Sequence, residues 1–154
     1  MIQDVKTHWN STILMLERAC RLKEYIKQWL QKERYCKKYM HLYPTREEWK
    51  QITYVISILH PFLKYTLLVS RTRMITMHKA WQIYNKIFNH IEVMKTALEN
   101  KRLSWKVSIR NALGKAHEKL DIYYSRTVKN HGVIYNSASI LDPSVKLSIY
   151  DDNV

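Results

Sequence analysis

Glycine and proline are scarce in this chain, and their scarcity limits the folds that it can adopt. The 154 residues include only 2 glycines and 3 prolines. Tight turns depend on these two residue types, and an all-β sandwich or barrel needs a turn roughly every 8–12 residues. No stretch alternates apolar and polar residues over the length of a strand, so we predict an all-α fold made of long helices.

Apolar residues recur every three or four positions in four segments, which is typical of amphipathic helices that pack on one another. The predicted helices cover residues 11–34, 46–70 and 77–100, and a fourth runs from Ser104 to the KNHG sequence at 129–132. The predicted apolar faces are Met15, Ala19, Leu22, Ile26 and Trp29; Trp49, Ile52, Ile56, Leu59 and Leu63; Ala80, Tyr84, Ile87, Ile91, Met94 and Leu98; and Trp105, Ile109, Ala112, Ala116, Leu120 and Tyr123. We expect four antiparallel helices over residues 1–132 and a short helical tail over residues 133–154, in which two short helices flank a turn at Asp142-Pro143.

Short polar residues mark the predicted helix starts, because their side-chain oxygens accept free backbone N–H groups of the first turn. Asn10 or Ser11 would cap the first helix, and Thr76 and Ser104 the third and fourth. The second helix begins with a T-x-x-E capping box. Pro61 lies within the second helix and removes a backbone donor, so we expect a bend or break near residues 57–61.

The charge indicates an anionic partner. Lys and Arg number 26 against 13 Asp and Glu, which gives a net charge of +13. An excess of this size favours nucleic acid as the partner, and the contact would be directed at phosphates and indifferent to sequence. The alternative is a solvated basic surface on an ordinary helical protein.

The sequence RYCKKYMHLYPTR, residues 34–46, interleaves tyrosines with cations. Arg34, Lys37 and Lys38 could neutralise phosphates while tyrosine rings stack on bases. The alternative is a polar connector whose tyrosines cover the ends of helices.

Several other functions are disfavoured by the sequence. Cys20 and Cys36 have no partner ligands at zinc spacing and form no disulfide framework. No apolar run reaches the roughly 18–20 residues of a membrane span, and residues 1–20 lack a signal-peptide core, so we expect an intracellular protein.

Four segments, in order, resemble hAT-family transposases. DVKTHWNST (residues 4–12) resembles the family's D-V-x-T-R-W-N-S-T motif, and SASILDPSVKL (137–147) resembles its A-x-x-L-D-P-x-x-K-L element. Between them, residues 47–70 resemble the stretch with E-W, L-x-P-F and T-x-x-L-S, and residues 104–124 resemble the helix that ends in a K-x-x-x-Y-Y type pattern. The resemblance implies the helical insertion of an RNase H-like core, with residues 133–154 returning to that core.

The resemblance also implies what this chain lacks. Transposases of the family hold divalent metal ions with three acidic residues, two before the R-W-N-S-T motif and one after the L-D-P element. None of the three maps onto this chain, so we expect no catalysis, no cofactor and no metal site here. The implied function is that of a fragment or degenerate copy of a transposase that binds DNA in the nucleus. The alternative is a helical module recruited by the host to bind nucleic acid or protein.

The family's Arg-Trp pair lies near the DNA end that is processed. Trp9 matches the tryptophan, whereas His8 replaces the arginine and lacks its guanidinium. For Trp9, the alternative is an apolar residue that packs on the first helical turn. The predicted DNA-contacting residues are His8, Trp9, Asn10, Arg34, Lys37, Lys38, Arg71 and Arg73. An isolated insertion could also expose apolar surface, and we therefore expect self-association.

Overall fold

The computed structural model describes residues 9–70 and 76–144. These residues are all-α, as predicted, and none of them lies in a strand. The helices are α1 (Trp9–Leu30), α2 (Glu33–Tyr39), α3 (Arg46–Val69), α4 (Ala80–Leu98) and α5 (Ser104–Leu141), with 3-10 turns at Met40–Leu42 and Met77–Lys79. The chain divides into two compact units, Met1–Leu63 and Lys64–Val154.

In the first unit, α1 runs antiparallel to the first part of α3. The Nζ atom of Lys23 lies 5.4 Å from the centroid of the Trp49 ring. Earlier in α1, a carboxylate oxygen of Glu17 lies 3.7 Å from Nε2 of His60, which is later in α3. The hydroxyl of Tyr43 donates to the backbone carbonyl of Lys23 at 3.4 Å and ties the α2–α3 connection to α1. The buried apolar residues of this unit are Ile13, Leu30, Trp49, Ile58 and Leu63.

The predicted capping box at the start of α3 is confirmed. The backbone N–H of Thr45 donates to the Glu48 carboxylate at 2.7 Å, and the N–H of Glu48 donates back to the Thr45 hydroxyl at 3.2 Å. The other predicted caps are wrong. Thr76 precedes a 3-10 turn without a side-chain capping bond, and Ser104 is the first residue of α5.

In the second unit, α4 and α5 form an antiparallel hairpin whose contact surface is rich in rings and hydroxyl groups. The ring of Trp81 lies edge-on to Tyr124 and Tyr135, with centroids 5.3 and 5.6 Å apart. The hydroxyl of Tyr84 lies 3.2 Å from that of Thr127. We call this surface the α4–α5 seam, and it comprises Trp81, Tyr84, Phe88, Leu113, His117, Tyr124, Thr127, Tyr135, Asn136 and Ser139.

The predicted first helix, residues 11–34, is two helices. α1 begins at Trp9, so Asn10 and Ser11 lie in its first turn and are not its cap. The first backbone N–H groups of a helix have no partner within it, whichever residue the helix begins at. Beginning one or two residues earlier therefore adds no further unpaired N–H group. α1 ends at Leu30 because Lys32 is extended, with φ −62° and ψ 134°, and α2 then turns back.

The fourth predicted helix does not end at residues 129–132. α5 continues to Leu141, and Gly132 is buried inside it. A helical glycine costs about 1 kcal/mol relative to alanine. Seam contacts made by Tyr135 and Ser139 beyond this point offset that cost. The turn at Asp142-Pro143 is confirmed, because the backbone N–H of Ser144 donates to the Asp142 side chain at 2.9 Å. The return of residues 133–154 to a separate core stays a prediction.

The face of α5 that meets α4 also differs from the predicted face. Ala112, Ala116 and Tyr123 are exposed, whereas Leu113 is buried and Tyr124 contacts α4. Polar side chains such as Thr127 and Ser139 belong to the seam because their hydroxyl groups find partners there. A prediction based on apolar spacing does not include polar residues of this kind. The observed face therefore lies one position later than the predicted one, at Leu113 and Tyr124 in place of Ala112 and Tyr123.

α3 is more continuous and more apolar than predicted. It runs unbroken through Pro61, so the predicted break is wrong, and a bend stays a prediction. A window of α3 has a mean hydropathy of 1.5, which by length and composition suffices to cross a membrane. This finding corrects the expectation that no segment would qualify, because isolated polar residues such as His60 and Lys64 lower the average only slightly. Core helices of soluble proteins meet the same criterion, so length and composition alone do not assign a membrane span to α3. In the described structure, 11% of this window is buried.

Candidate nucleic-acid interface

The predicted DNA-contacting residues occupy three different places in the chain. Arg34, Lys37 and Lys38 all lie on α2 and are exposed. Trp9 and Asn10 begin α1, and Asn10 is half-buried; the Trp9 side chain lies outside the described part. His8, Arg71 and Arg73 also lie outside the described residues. Only the α2 group can therefore be placed in a common geometry.

Aromatic rings join the end of α1 to α2. The rings of Trp29 and Tyr35 stack with centroids 4.2 Å apart and an interplanar angle of 20°. Tyr39 lies one helical turn further, with its centroid 6.4 Å from that of Tyr35. The chain can make this stack because residues 31 and 32 turn it back between the helices.

The cations of α2 lie beside these rings. The guanidinium carbon of Arg34 is 5.8 Å from the Tyr35 centroid, and Nζ of Lys38 is 5.1 Å from the Tyr39 centroid. Lys37 is exposed between them in sequence. Neither these two cations nor Lys37 forms an ion pair with a described carboxylate. We call this group the α2 patch: Trp29, Arg34, Tyr35, Lys37, Lys38 and Tyr39.

The α2 patch contains the features expected from both interpretations of its sequence. Tyr35 covers Trp29 at the end of α1, as a structural connector would. The exposed cations have the charge and access that phosphate contact needs. Trp29 remains 45% exposed, so an aromatic surface is still available to a base. The spacing of apolar residues predicts Trp29 on the apolar face of the first helix. The tyrosines that follow it, Tyr35 and Tyr39, are the feature of the sequence that indicates its place in the α2 patch.

Three acidic side chains of the described part, Glu47, Glu48 and Asp142, are engaged in local structure. The Thr45 backbone N–H and then its hydroxyl lower the pKa of the Glu48 carboxyl through hydrogen bonds. Glu47 pairs with Lys50 at 3.0 Å. Hydrogen bonds from the Ser144 hydroxyl and N–H lower the pKa of Asp142, to which nearby His78 and Lys79 also contribute. Over residues 9–70 and 76–144, no group of three or more His, Cys, Asp or Glu could hold a metal ion.

A serine, a histidine and an aspartate meet at the far end of the α4–α5 seam. Ser139 is fully buried, and its hydroxyl donates to the backbone carbonyls of Tyr135 and His78 at 2.9 and 3.1 Å. The imidazole of His78 faces Asp142 instead, with Nε2 3.3 Å from Oδ2. A nucleophile needs a base within hydrogen-bond reach of its hydroxyl. This hydroxyl is directed to backbone carbonyls, so the cluster holds the end of the hairpin in place.

Known proteins resemble this chain in its first unit and, more distantly, over most of its length. Residues 1–58 match a family model described as the ZBED1 RNase-like helical domain, which is related to the hAT transposases. A protein of Talaromyces stipitatus named "Putative transcriptional regulator tpeD" is 36% identical over 151 residues. The alignment covers 97% of this chain but 14% of that relative, so the chain spans about a seventh of its length. No solved structure matches.

The comparisons agree with the helical architecture. The matched residues 1–58 fall within the first compact unit, Met1–Leu63, which contains the α2 patch. What is detected is the helical domain that accompanies an RNase H-like core, and not the catalytic core itself.

Proposed function

We propose that this chain is a nucleic-acid-binding helical module derived from the helical insertion of a hAT-type transposase. It contacts DNA phosphates through the α2 patch and catalyses no reaction of its own. The observation that carries this proposal is a set of three exposed cations that form no ion pair with a described carboxylate, two of them beside stacked rings, in a chain with a net charge of +13. Cations supply affinity through counterion release, and rings supply sequence-tolerant stacking.

The relatives support a role at DNA. The fungal relative is named a transcriptional regulator, and a helical module that binds DNA fits such a role. We therefore propose the nucleus as the compartment.

Fluorescence anisotropy of a labelled duplex, titrated with the chain at several salt concentrations, tests the proposal. We expect affinity to fall steeply with salt and to be indifferent to sequence. The triple variant Arg34→Ala, Lys37→Ala, Lys38→Ala should weaken binding and reduce the salt slope by about 3, since each phosphate contact contributes about 0.9 to it.

A matched control separates the α2 patch from total charge. Lys86, Lys115 and Lys129 are exposed helical lysines of the second unit. Their triple replacement by alanine removes the same charge, and we expect it to weaken binding much less. Equal effects from the two triple variants would assign binding to diffuse charge and would reject the α2 patch as the site.

Cys36 offers a direct footprint, because this exposed thiol lies on α2 between the cations. In a Cys20→Ser background it is the one thiol left in the sequence. Saturating duplex should slow alkylation of Cys36 severalfold if DNA covers α2. An unchanged rate under saturating conditions would place bound DNA elsewhere.

A second candidate function is protein binding, in which the exposed apolar surface of α3 packs on a second copy of the chain. Leu67 and Val69 are 56% and 47% exposed on a helix whose mean hydropathy suits a buried environment. Large exposed apolar surfaces often bind other proteins. Sedimentation of the chain with and without Leu67→Glu would test self-association through this surface; a monomer in both cases would reject it.

A further inference from the structure

An open pocket in the first unit lies between α1 and the first turns of α3. Its volume is about 510 Å³, and it is lined by cations, rings and hydroxyl-bearing residues. The lining cations are Lys23 from α1 and Arg46 and Lys50 from α3. None of the described residues that line it is acidic. Glu47 lies outside the lining and pairs with Lys50 at 3.0 Å, so Lys23 and Arg46 are the cations without a described ion pair.

Trp49 forms one wall of this pocket. Its side chain is 6% exposed, and its indole N–H has no hydrogen-bond acceptor among the described residues. Buried donors without a partner are uncommon in native proteins and often mark a water or ion that belongs nearby. Lys23 lies over the Trp49 ring, which holds the ammonium group at the pocket.

Tyr54 lines the pocket one to two helical turns further along α3. Burial raises the pKa of its phenol. The hydroxyls of Thr53 and Ser57 donate to backbone carbonyls of Trp49 and Tyr54, at 2.9 and 2.7 Å. The charged donors that line the pocket are Lys23, Arg46 and Lys50, and of these Lys50 already pairs with Glu47.

We propose that this pocket binds a phosphate group. Convergent ammonium and guanidinium groups from two helices recognise the oxygens of a phosphate through charge-assisted hydrogen bonds. The phosphate could come from a nucleic-acid strand or from a free polyphosphate, because both present the same oxyanion. The proposal does not require the α2 patch to bind DNA.

The test follows the indole N–H resonance of Trp49 by nuclear magnetic resonance, assigned with Trp49→Phe, while inorganic tripolyphosphate is added. We expect a saturable shift. The double variant Lys23→Met, Arg46→Gln should weaken tripolyphosphate binding by about tenfold or more, since it removes two charge-assisted contacts. Arg21→Gln, Lys27→Met removes two exposed cations of α1 that do not line the pocket and should leave binding within about twofold.

A second titration uses a short DNA duplex in place of tripolyphosphate. A Trp49 shift with duplex, which excess tripolyphosphate moves to the position seen with tripolyphosphate alone, would identify a nucleic-acid strand as a source of the phosphate. A shift with tripolyphosphate alone would identify a free polyphosphate as the ligand. The proposal is overturned if neither ligand shifts Trp49, or if the double variant and its control weaken binding equally. If the double variant unfolds, the single variant Arg46→Gln, with its helicity checked by circular dichroism, tests whether removing a lining cation weakens tripolyphosphate binding.

Discussion

The indole N–H of Trp81 donates a hydrogen bond of 2.6 Å to Oδ1 of Asn136, and the two residues lie 55 positions apart in the chain. This bond satisfies the polar atom of a side chain that is otherwise buried against tyrosine rings, since Trp81 is 7% exposed. The seam can therefore include a tryptophan without leaving its donor unpaired.

Replacing Asn136 by alanine tests this relationship. The indole N–H loses its acceptor while the ring stays buried, so we expect the free energy of unfolding to fall by about 1–3 kcal/mol. Urea denaturation followed by circular dichroism measures it. Val133→Ala, at a residue 81% exposed on the same helix, should change stability by no more than about 0.5 kcal/mol. Similar losses at the two positions would contradict the role of the bond.

Ser139→Ala should destabilise the second unit. The change removes the only hydroxyl that donates to the backbone carbonyl of His78 in the described structure, and the site is fully buried. A net hydrogen bond contributes about 0.5–1.5 kcal/mol, and we expect a loss in that range. Ser137→Ala, at an exposed position two residues earlier, serves as the control and should be near neutral. A neutral Ser139→Ala would mean that the hydroxyl contributes nothing to stability.

Gly132→Ala should stabilise α5. The new Cβ would lie 3.7 Å from Cγ1 of Val128, which is an ordinary van der Waals distance. Alanine is favoured over glycine in a helix by about 1 kcal/mol, so thermal unfolding should shift upward. Gly114→Ala is the matched comparison, because nothing lies within 4 Å of its added Cβ. A lower melting temperature for Gly132→Ala, beside a higher one for Gly114→Ala, would indicate that α5 is not continuous at residue 132.

Pro61→Ala should also raise stability, because α3 passes through this position unbroken. An interior proline costs about 3 kcal/mol in a helix, and part of this gain is offset by about 1 kcal/mol from greater freedom of the unfolded chain. We expect a net gain of about 1–2 kcal/mol by urea denaturation. Lys64→Ala, one turn later and exposed, should be nearly neutral. A loss of stability in Pro61→Ala would show that the native α3 requires the proline.

Acid should weaken the end of the seam through Asp142. Hydrogen bonds from Ser144 lower the pKa of this carboxyl in the folded state, so the folded state favours its charged form. The contribution is complete above the ordinary carboxyl pKa of about 4 and is lost as the pH falls through the lowered folded value. Asp142→Asn should thus lose less stability between pH 6 and pH 3 than the native chain. Asp121→Asn, at an exposed site of α5, is the control; if it flattens the profile equally, Asp142 is not responsible.

The sequence predicted the helices well where apolar spacing and capping chemistry agree. Trp49 and Leu63 are buried as predicted, and the capping box at Thr45 has the expected bonds. Prediction failed where polar groups pair over long separations. Trp81 and Ser139 are buried because Asn136 and the His78 carbonyl satisfy them, and neither partner is visible from local periodicity.

The two candidate binding sites also differ in whether local sequence alone could predict them. The cations of the α2 patch could be predicted from the sequence RYCKKY alone, because the exposure of a charged side chain does not depend on a partner elsewhere in the chain. The pocket beside Trp49 could not be predicted, because two of its lining cations, Lys23 of α1 and Arg46 of α3, lie 23 positions apart in the sequence. The meeting of these two cations depends on the antiparallel pairing of α1 and α3.

The seam of the hairpin has a consequence for how the second unit folds. The hydrogen bonds that join the two arms of the hairpin, inside and outside the seam, span progressively longer separations along the chain. The separation is 11 residues between Glu99 and Arg110, 43 between Tyr84 and Thr127, and 61 between His78 and Ser139. Each contact formed near residues 99–103 shortens the loop that the next contact has to close, and it therefore lowers the entropy cost of that next contact. The hairpin should close from its connection outward, as a zipper does. Stopped-flow measurements should then find that Ser139→Ala mainly accelerates unfolding and leaves the folding rate nearly unchanged.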